Sequence, residues 1–216
     1  MDKNIYVKTL EVAGFASAFK AMRLPMKSEE KSDSVLGFLK PEDVNLLDVD
    51  IEHLETYCCF GEKDIQLLKK LIKAGDEHAK VLRGVIVWAE MNLPRYIWQE
   101  MDTYRIGTDC LGSESTMHCE AKGLSGKELE SFKEELKEGH VQKRIRTFSY
   151  QTLRRIYFQR RNHRLPIWRE MVIPWIESLP LSKELITINP WYIDKINQLE
   201  NQIEAWEKRR RCNCRR

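Results

Sequence analysis

The sequence predicts an α+β domain, a sheet flanked by helices, with a helical extension at the C-terminal end. Three observations carry this. The run "IYVKTLEVAG" (Ile5–Gly14) alternates in part and is rich in β-branched residues, so it reads as a strand closed by glycine. The run "GVIVWAEM" (Gly84–Met91) is apolar, short and bounded by Gly, as a buried strand is. Between and after these two runs lie segments with apolar residues at helical spacing, each with its own start and stop signals. A length of 216 residues suits one domain, taken here as 1–186, with 187–216 as the extension.

Taken in order, "ASAFKAMRL" is a short helix that stops before Pro25, and "MKSEEKSDSVLG" is a polar loop. Pro41 opens a turn or short helix. "DIQLLKKLIKAGD" is a helix with Asp64 as cap, Leu67, Leu68, Leu71 and Ile72 as its apolar stripe, and Gly75 as terminator. After the second strand, Pro94 fits the first position of the helix "PRYIWQEMDTY", where Arg95, Gln99 and Asp102 share one face and Ile97 and Met101 another. The stretch "YRIGTDCLGSESTMH" (Tyr104–His118) is polar and reads as a surface loop or a site wall. "LSGKELESFKEELKEG" carries a capping box, Ser125 with Glu128, and ends at Gly139. "SYQTLRRIYFQRR" starts at a Ser cap, with Tyr150, Leu153 and Tyr157 spaced for a core. Pro166 opens "PIWREMVIPWIESL", packed through Trp168, Met171 and Trp175. Asn189-Pro190 starts a last helix, a docking or small oligomer contact, on which Tyr192, Ile196, Leu199, Ile203 and Trp206 repeat at a 4-3 spacing.

Hydrophobic residues at 42% and charged residues at 32% fit a soluble globular chain. A net charge of +3 gives no global electrostatic case for nucleic acid. The N-terminus has no basic-then-apolar signal pattern, and no apolar run approaches the roughly 20 residues that span a bilayer. The expected compartment is therefore the cytoplasm, a host's if the gene is viral. Cys58, Cys59, Cys110 and Cys119 read as reduced thiols, while Cys212 and Cys214 alone form a weak soft-metal pair. None of GxGxxG, GxxxxGK[ST], HExxH or GxSxG occurs, and His53, His78, His118, His140 and His163 are dispersed without metal-ligand spacing.

The chemistry is concentrated in arginine. Arg144, Arg146, Arg154, Arg155, Arg160, Arg161 and Arg164 surround Tyr150, Tyr157 and Phe158. Guanidinium groups fork onto phosphate or carboxylate and stay charged, and the aromatics can stack a base. The same row also suits a solvated basic helix face paired with "KEELKEG", and both readings stand at this level.

The order of segments adds a resemblance. "LLKKLIKAGDEHAKVLRGVIVWAEMNLPRYIWQEMDTYRIGT" resembles the core of flavin-dependent thymidylate synthases: a helix ending in an AGH-type turn, a strand, a helix containing Gln, then R-H-R-x-x-S and N-E-x-S-x-R-Y segments. "TLRRIYFQRRNHRLPIW" is similar to that family's later S-L-x-N-F-x-x-L-R and A-Q-W element. The similarity spans about residues 60–178, with no single motif intact. It implies an α/β homotetramer that binds FAD and dUMP together where subunits meet, with NADPH and methylenetetrahydrofolate as further reactants if the chain is catalytic. It implies no nucleophilic cysteine.

Carried over residue by residue, the resemblance implies flavin contacts at Arg105, Thr108 and Arg155. It implies nucleotide contacts at Gln99 (or Glu100), Ser113, Ser115 and Arg160 or Arg161. Thr103 and Tyr104 stand where the family has Arg and His, Asp76 where its turn has His, and Met117 and His118 where it has Arg and Tyr. Two functions follow as expectations: an enzyme methylating a pyrimidine nucleotide such as dUMP, or a non-catalytic relative that captures a nucleotide, for example a phage protein sequestering a signalling nucleotide. A nucleic-acid adaptor using the basic tail "KRRRCNCRR" is a third and weaker alternative.

Overall fold

A computed structural model describes residues 4–37 and 57–189. Its elements, in chain order, are β1 (Tyr6–Ala13), α1 (Phe15–Arg23), β2 (Val35–Gly37), β3 (Tyr57–Cys59), α2 (Glu62–Lys73), β4 (Ile86–Pro94), α3 (Arg95–Met101), β5 (Thr108–Ser113), α4 (Gly126–Glu135), β6 (Val141–Ser149), α5 (Tyr150–Arg160), α6 (Ile173–Glu177) and α7 (Ser182–Leu185). The turn at Pro41, His53, the helix after Asn189 and the Cys212–Cys214 pair lie outside the described residues.

Four strands form one antiparallel sheet in the order β1-β4-β6-β5, and β2 pairs with β3 in a separate ribbon. Central β4 alternates strictly. Val87, Ala89, Met91 and Leu93 are fully buried on one face, while Trp88, Glu90 and Asn92 stay half-buried on the other. The expected fully buried strand is thus a one-faced strand, as period-2 geometry in a sheet covered on one side requires. Against the buried face pack Ile97, Trp98 and Met101 of α3, Leu153 and Ile156 of α5, and Trp168, Trp175 and Ile176. Each large side chain so buried stabilises by about 1.5–3 kcal/mol.

Four strands sit where no strand is expected from sequence: β2, inside the expected polar loop, its partner β3, and β5 and β6 of the main sheet. β6 carries Arg144 and Arg146 on the same face as Phe148, opposite Met91, Ala89 and Val87 of β4. β5 is polar, contains Gly112 and breaks register between Cys110 and Gly112. It is therefore the "YRIGTDCLGSESTMH" segment, expected as a surface loop or a site wall, that builds the edge of the sheet.

The chain corners explain the element ends. Gly14 adopts φ 97° between β1 and α1, and a Cβ there would collide with the Gly84 carbonyl, so the corner needs glycine. Ser149 caps α5 by accepting from Thr152 N at 3.2 Å. Tyr150 is fully buried; its hydroxyl donates to Pro180 O at 2.7 Å, and burial pushes its ionisation well above the ordinary phenol range. From Pro166 the chain is helical, running as a π-helix over Trp168–Val172 before α6.

Two expected caps are corrected. Asp64 is not the cap of α2. That role belongs to Asp33, whose carboxylate accepts from Lys63 N at 2.9 Å and Asp64 N at 3.1 Å. Asp64 lies inside the first turn, fully buried, where it pairs with the guanidinium of Arg23 and accepts from Ser32 Oγ at 2.6 Å. Ser125 precedes α4 but makes no side-chain cap bond, and the helix ends at Glu135, ahead of Gly139.

Candidate functional site

The arginine row of β6 and α5 divides among three surroundings. At its first turn α5 is locked to the turn that begins the polar segment: Ser149 N donates to Gly107 O at 2.7 Å, and Thr152 Oγ1 donates to Ile106 O at 2.6 Å. Gly107 takes φ 72°, and a Cβ there would strike Ser149 Oγ and Thr152 Oγ1. Residues 106–108 therefore lie directly against the start of α5, and the two halves of the sequence pattern meet.

Beside this junction is a cavity of about 410 Å³, lined among others by Asp76, Arg83, Gln151, Arg154, Arg155 and Phe158. Arg83 Nε donates to Gln151 Oε1 at 2.7 Å. Arg154 stacks over Phe158 at 4.9 Å and donates to the carbonyls of Ile186 and Ile188 at 2.8 and 2.7 Å. Burial lowers the Arg154 pKa, while the Asp76 carboxylate works to raise it. Arg155 is exposed and has no hydrogen-bond or ion-pair partner among the described residues. Three guanidinium groups around one concave space, one of them unengaged, could donate to the oxygens of an anion beside the Asp76 carboxylate.

Arg160, at the other end of α5, is engaged. It donates from Nε to Tyr104 Oη at 2.9 Å and from Nη1 to Glu100 Oε2 at 3.0 Å, and its guanidinium lies 5.1 Å from the Trp168 ring centre. The same Glu100 oxygen accepts from Trp168 Nε1 at 2.6 Å. His163 Nε2 stands 2.8 Å from Arg160 Nη1 and Nδ1 3.3 Å from Leu165 N. A neutral ring has one acceptor nitrogen, so it satisfies only one of these two donors at a time. Arg161 is exposed and stacks on Phe158 at 5.1 Å.

The third cluster is on the sheet. Asp102, one residue past α3, accepts from Arg144 Nη1 at 3.1 Å and pairs with Arg146. Arg144 also covers Trp98 at 4.6 Å and donates from Nε to Gln142 Oε1 at 3.0 Å. Arg146 is 5% exposed and its Nε has no partner among the described residues; Thr108 Oγ1, on the same sheet face, is buried and also unpartnered.

Of the residues singled out in sequence, Arg155 lines the α5 cavity, Thr108 begins β5 with its hydroxyl on the sheet face of Arg146, and Arg105, exposed, precedes the Gly107 turn. Gln99 is turned to the connection after α4, where its Nε2 donates to Glu138 Oε2 at 2.9 Å. Ser113 is exposed at the far end of β5 opposite Arg144, about 13 Å along the strand pairing from Thr108. Ser115 Oγ lies 2.9 Å from His118 Nδ1, beyond that strand end. Sequence reasoning missed Arg83 and Gln151. Nothing in a lone Arg before a glycine marks it as a wall residue.

Among the described residues no group of His, Cys, Asp and Glu could hold a metal ion, and no helix is long and apolar enough to cross a membrane. Cys110 and Cys119 are exposed free thiols.

By sequence the chain matches no family model and no curated protein. Solved structures do match its fold. Thymidylate synthase X (ThyX) from Helicobacter pylori with FAD and dUMP aligns at TM-score 0.58 and 14% identity, covering 85% of this chain and 97% of that one. A second H. pylori ThyX complex with FAD and dUMP aligns at TM-score 0.58 and 13% identity, over 84% and 98%. The UMP/dUMP methylase PolB from Streptomyces cacaoi, bound with 5-Br dUMP, aligns at TM-score 0.50 and 14% identity, over 86% and 95%. At such identities the fold is what is shared: this chain has the fold of the flavin-dependent thymidylate synthases, with the side chains of the family pattern largely replaced.

Proposed function

We propose that the protein is a divergent relative of flavin-dependent thymidylate synthases that binds a pyrimidine nucleotide as a homo-oligomer, with the phosphate held by the α5 arginines. The observation that carries this is the arginine-lined cavity at the α5 junction, in which Arg155 is unengaged. The fold supports it, since ThyX of this fold is solved with FAD and dUMP, and PolB with 5-Br dUMP. A cavity of about 410 Å³ is near the lower end of ligand pockets, which suits a mononucleotide, or one phosphate-bearing half of a dinucleotide completed by a second subunit.

If a flavin binds, Arg83 and Arg155 would hold its phosphate instead, with Arg105 and Thr108 flanking the Gly107 turn, and the nucleotide's phosphate would fall to Arg161, exposed at the end of α5. A bound flavin would supply redox chemistry. This chain's residues would bind and orient; Arg155 adds charge-assisted hydrogen bonds of about 1.5–3 kcal/mol to a phosphate, and Phe158 offers a stacking face.

Capture without turnover is the reading favoured over pyrimidine methylation. Glu100 already occupies Arg160, and Asp102 occupies Arg144 and Arg146. A phosphate arriving at those guanidiniums would meet a carboxylate and would have to displace it. Gel filtration of the purified protein after incubation with FAD, and separately with dUMP, tests the proposal. Co-elution of dUMP without flavin supports capture. Co-elution of a yellow flavin complex with dUMP supports the enzyme, which dTMP formation from NADPH and methylenetetrahydrofolate then checks. Retention of neither ligand overturns both.

A further inference from the structure

A second, larger cleft shares no lining residue with the arginine cavity. It has a volume of about 1220 Å³ and is walled by α1, α2 and the 3₁₀ turn Ala79–Arg83. That exceeds the size of pockets built for small ligands.

Its shape follows from the two helices. The core face of α2 is Asp64, Leu68 and Ile72. A second stripe, Lys63, Gln66, Leu67, Lys70 and Leu71, is spaced i, i+3, i+4, i+7, i+8 and faces the cleft. Leu67 and Leu71 are only half-buried, so they have no complete apolar cover. From α1 the facing residues are Ser17, Ala18, Ala21 and Met22; three of the four are small, which leaves the groove open. Met26, at one end, is 82% exposed.

The rim is basic. Lys31, Lys63, Lys70 and Lys80 line it, and none of these ammonium groups has a carboxylate partner among the described residues. Glu77 is the one carboxylate among the described lining residues, while Arg23 is neutralised by Asp64. An apolar floor between two helices under a ring of unpaired lysines is complementary to one kind of occupant: an amphipathic helix with leucine-type anchors at i, i+3/i+4 spacing and acidic residues flanking them.

We propose that this cleft docks an acidic amphipathic helix of a partner protein. The test uses the full-length protein and a fluorescently labelled designed helix of about five turns, with Leu on one stripe and Glu flanking it. Fluorescence anisotropy should show saturable binding that weakens with salt. Lys63→Glu with Lys70→Glu, both on exposed positions, should weaken it roughly tenfold, the sum of two modest surface pairs. Amide exchange should slow in residues 17–22 and 63–71. Absence of saturable binding overturns the proposal. So does equal binding of the same helix with Leu→Ser, which would reduce the cleft to a polyanion surface, or with Glu→Lys, which would remove the charge argument. Nucleotide retention should be unchanged in the double variant, so this test and that of the nucleotide site succeed or fail separately.

Discussion

Removing the carboxylate of Asp64 should destabilise the whole protein. Asp64 is fully buried and Arg23 is 6% exposed, so the pair has little water to fall back on. Asp64→Ala strands the Arg23 guanidinium, leaves Ser32 Oγ without its acceptor, and opens a small void beside Leu68. Breaking a buried pair by deleting one partner costs about 3–5 kcal/mol. For a chain of this size that lowers the thermal midpoint by roughly 6–20 °C. Burial alone would raise the Asp64 pKa, but hydrogen bonds from Ser32 and Ser34 and the Arg23 guanidinium outweigh it and hold the carboxyl below its ordinary value. The folded-state pKa is the lower one. The pair's contribution is therefore complete above the unfolded carboxylate value of about 3.9 and is lost as pH falls through the folded value. Arg23→Met leaves only the Ser32 and Ser34 hydroxyls against burial, so the Asp64 pKa should rise above its value in the parent and the gain of stability with rising pH should shrink. The double change Arg23→Met with Asp64→Leu should recover most of the loss, since a well-packed apolar pair replaces a buried ion pair with little penalty. Thermal melts of the four proteins across acid and neutral pH decide this. An Asp64→Ala loss below about 1 kcal/mol, or a double variant no better than the singles, would refute the role given to this pair.

Three further outcomes follow from the site. Gly107→Ala, forcing a Cβ at φ 72° into Ser149 and Thr152, should cost at least about 2 kcal/mol by thermal or urea melts and disturb the α5 junction. Glu100→Gln keeps an oxygen for Trp168 and Arg160 but removes the charge that neutralises Arg160; dUMP titration should show equal or tighter binding, against a loss of stability of about 1 kcal/mol. Tyr150→Phe removes the bond to Pro180 O and should cost about 1 kcal/mol, and in the parent protein Tyr150 should stay un-ionised until the fold opens in an alkaline absorbance scan.

The helices were legible because their signals are local. Ser149 before α5, Pro25 after α1 and the Ile97/Met101 pair on α3 all act within a turn or two of sequence. Apart from the Ser125 capping box and the Gly139 stop of α4, what failed was non-local. The cap of α2 comes from Asp33, thirty residues before it, and no spacing rule reaches that far. β6 was read as part of an arginine cluster because Arg144 and Arg146 occupy its core-facing positions. They are tolerated there because Asp102 pairs with both guanidiniums and Trp98 carries Arg144 on its ring. The alternation of Ile145 and Thr147 with Arg146 and Phe148 was the strand signal that charge concealed. β5 hid for a related reason: an edge strand with Asp109, Gly112 and Ser113 satisfies turn statistics as well as strand statistics. In the candidate site, sequence pointed to Arg154 and Arg155. The cavity wall of Arg83, Gln151 and Asp76 needed the fold to assemble it.

The central claim is that α5 presents a phosphate site, and calorimetric titration tests it most directly. Full-length protein and its Arg155→Ala variant are each titrated with dUMP and with deoxyuridine, which lacks the phosphate. Saturable dUMP binding, little or none for deoxyuridine, and a loss of about ten- to hundredfold in the variant at unchanged thermal stability is the predicted result. Absence of dUMP binding, or binding indifferent to both the phosphate and Arg155, would contradict it.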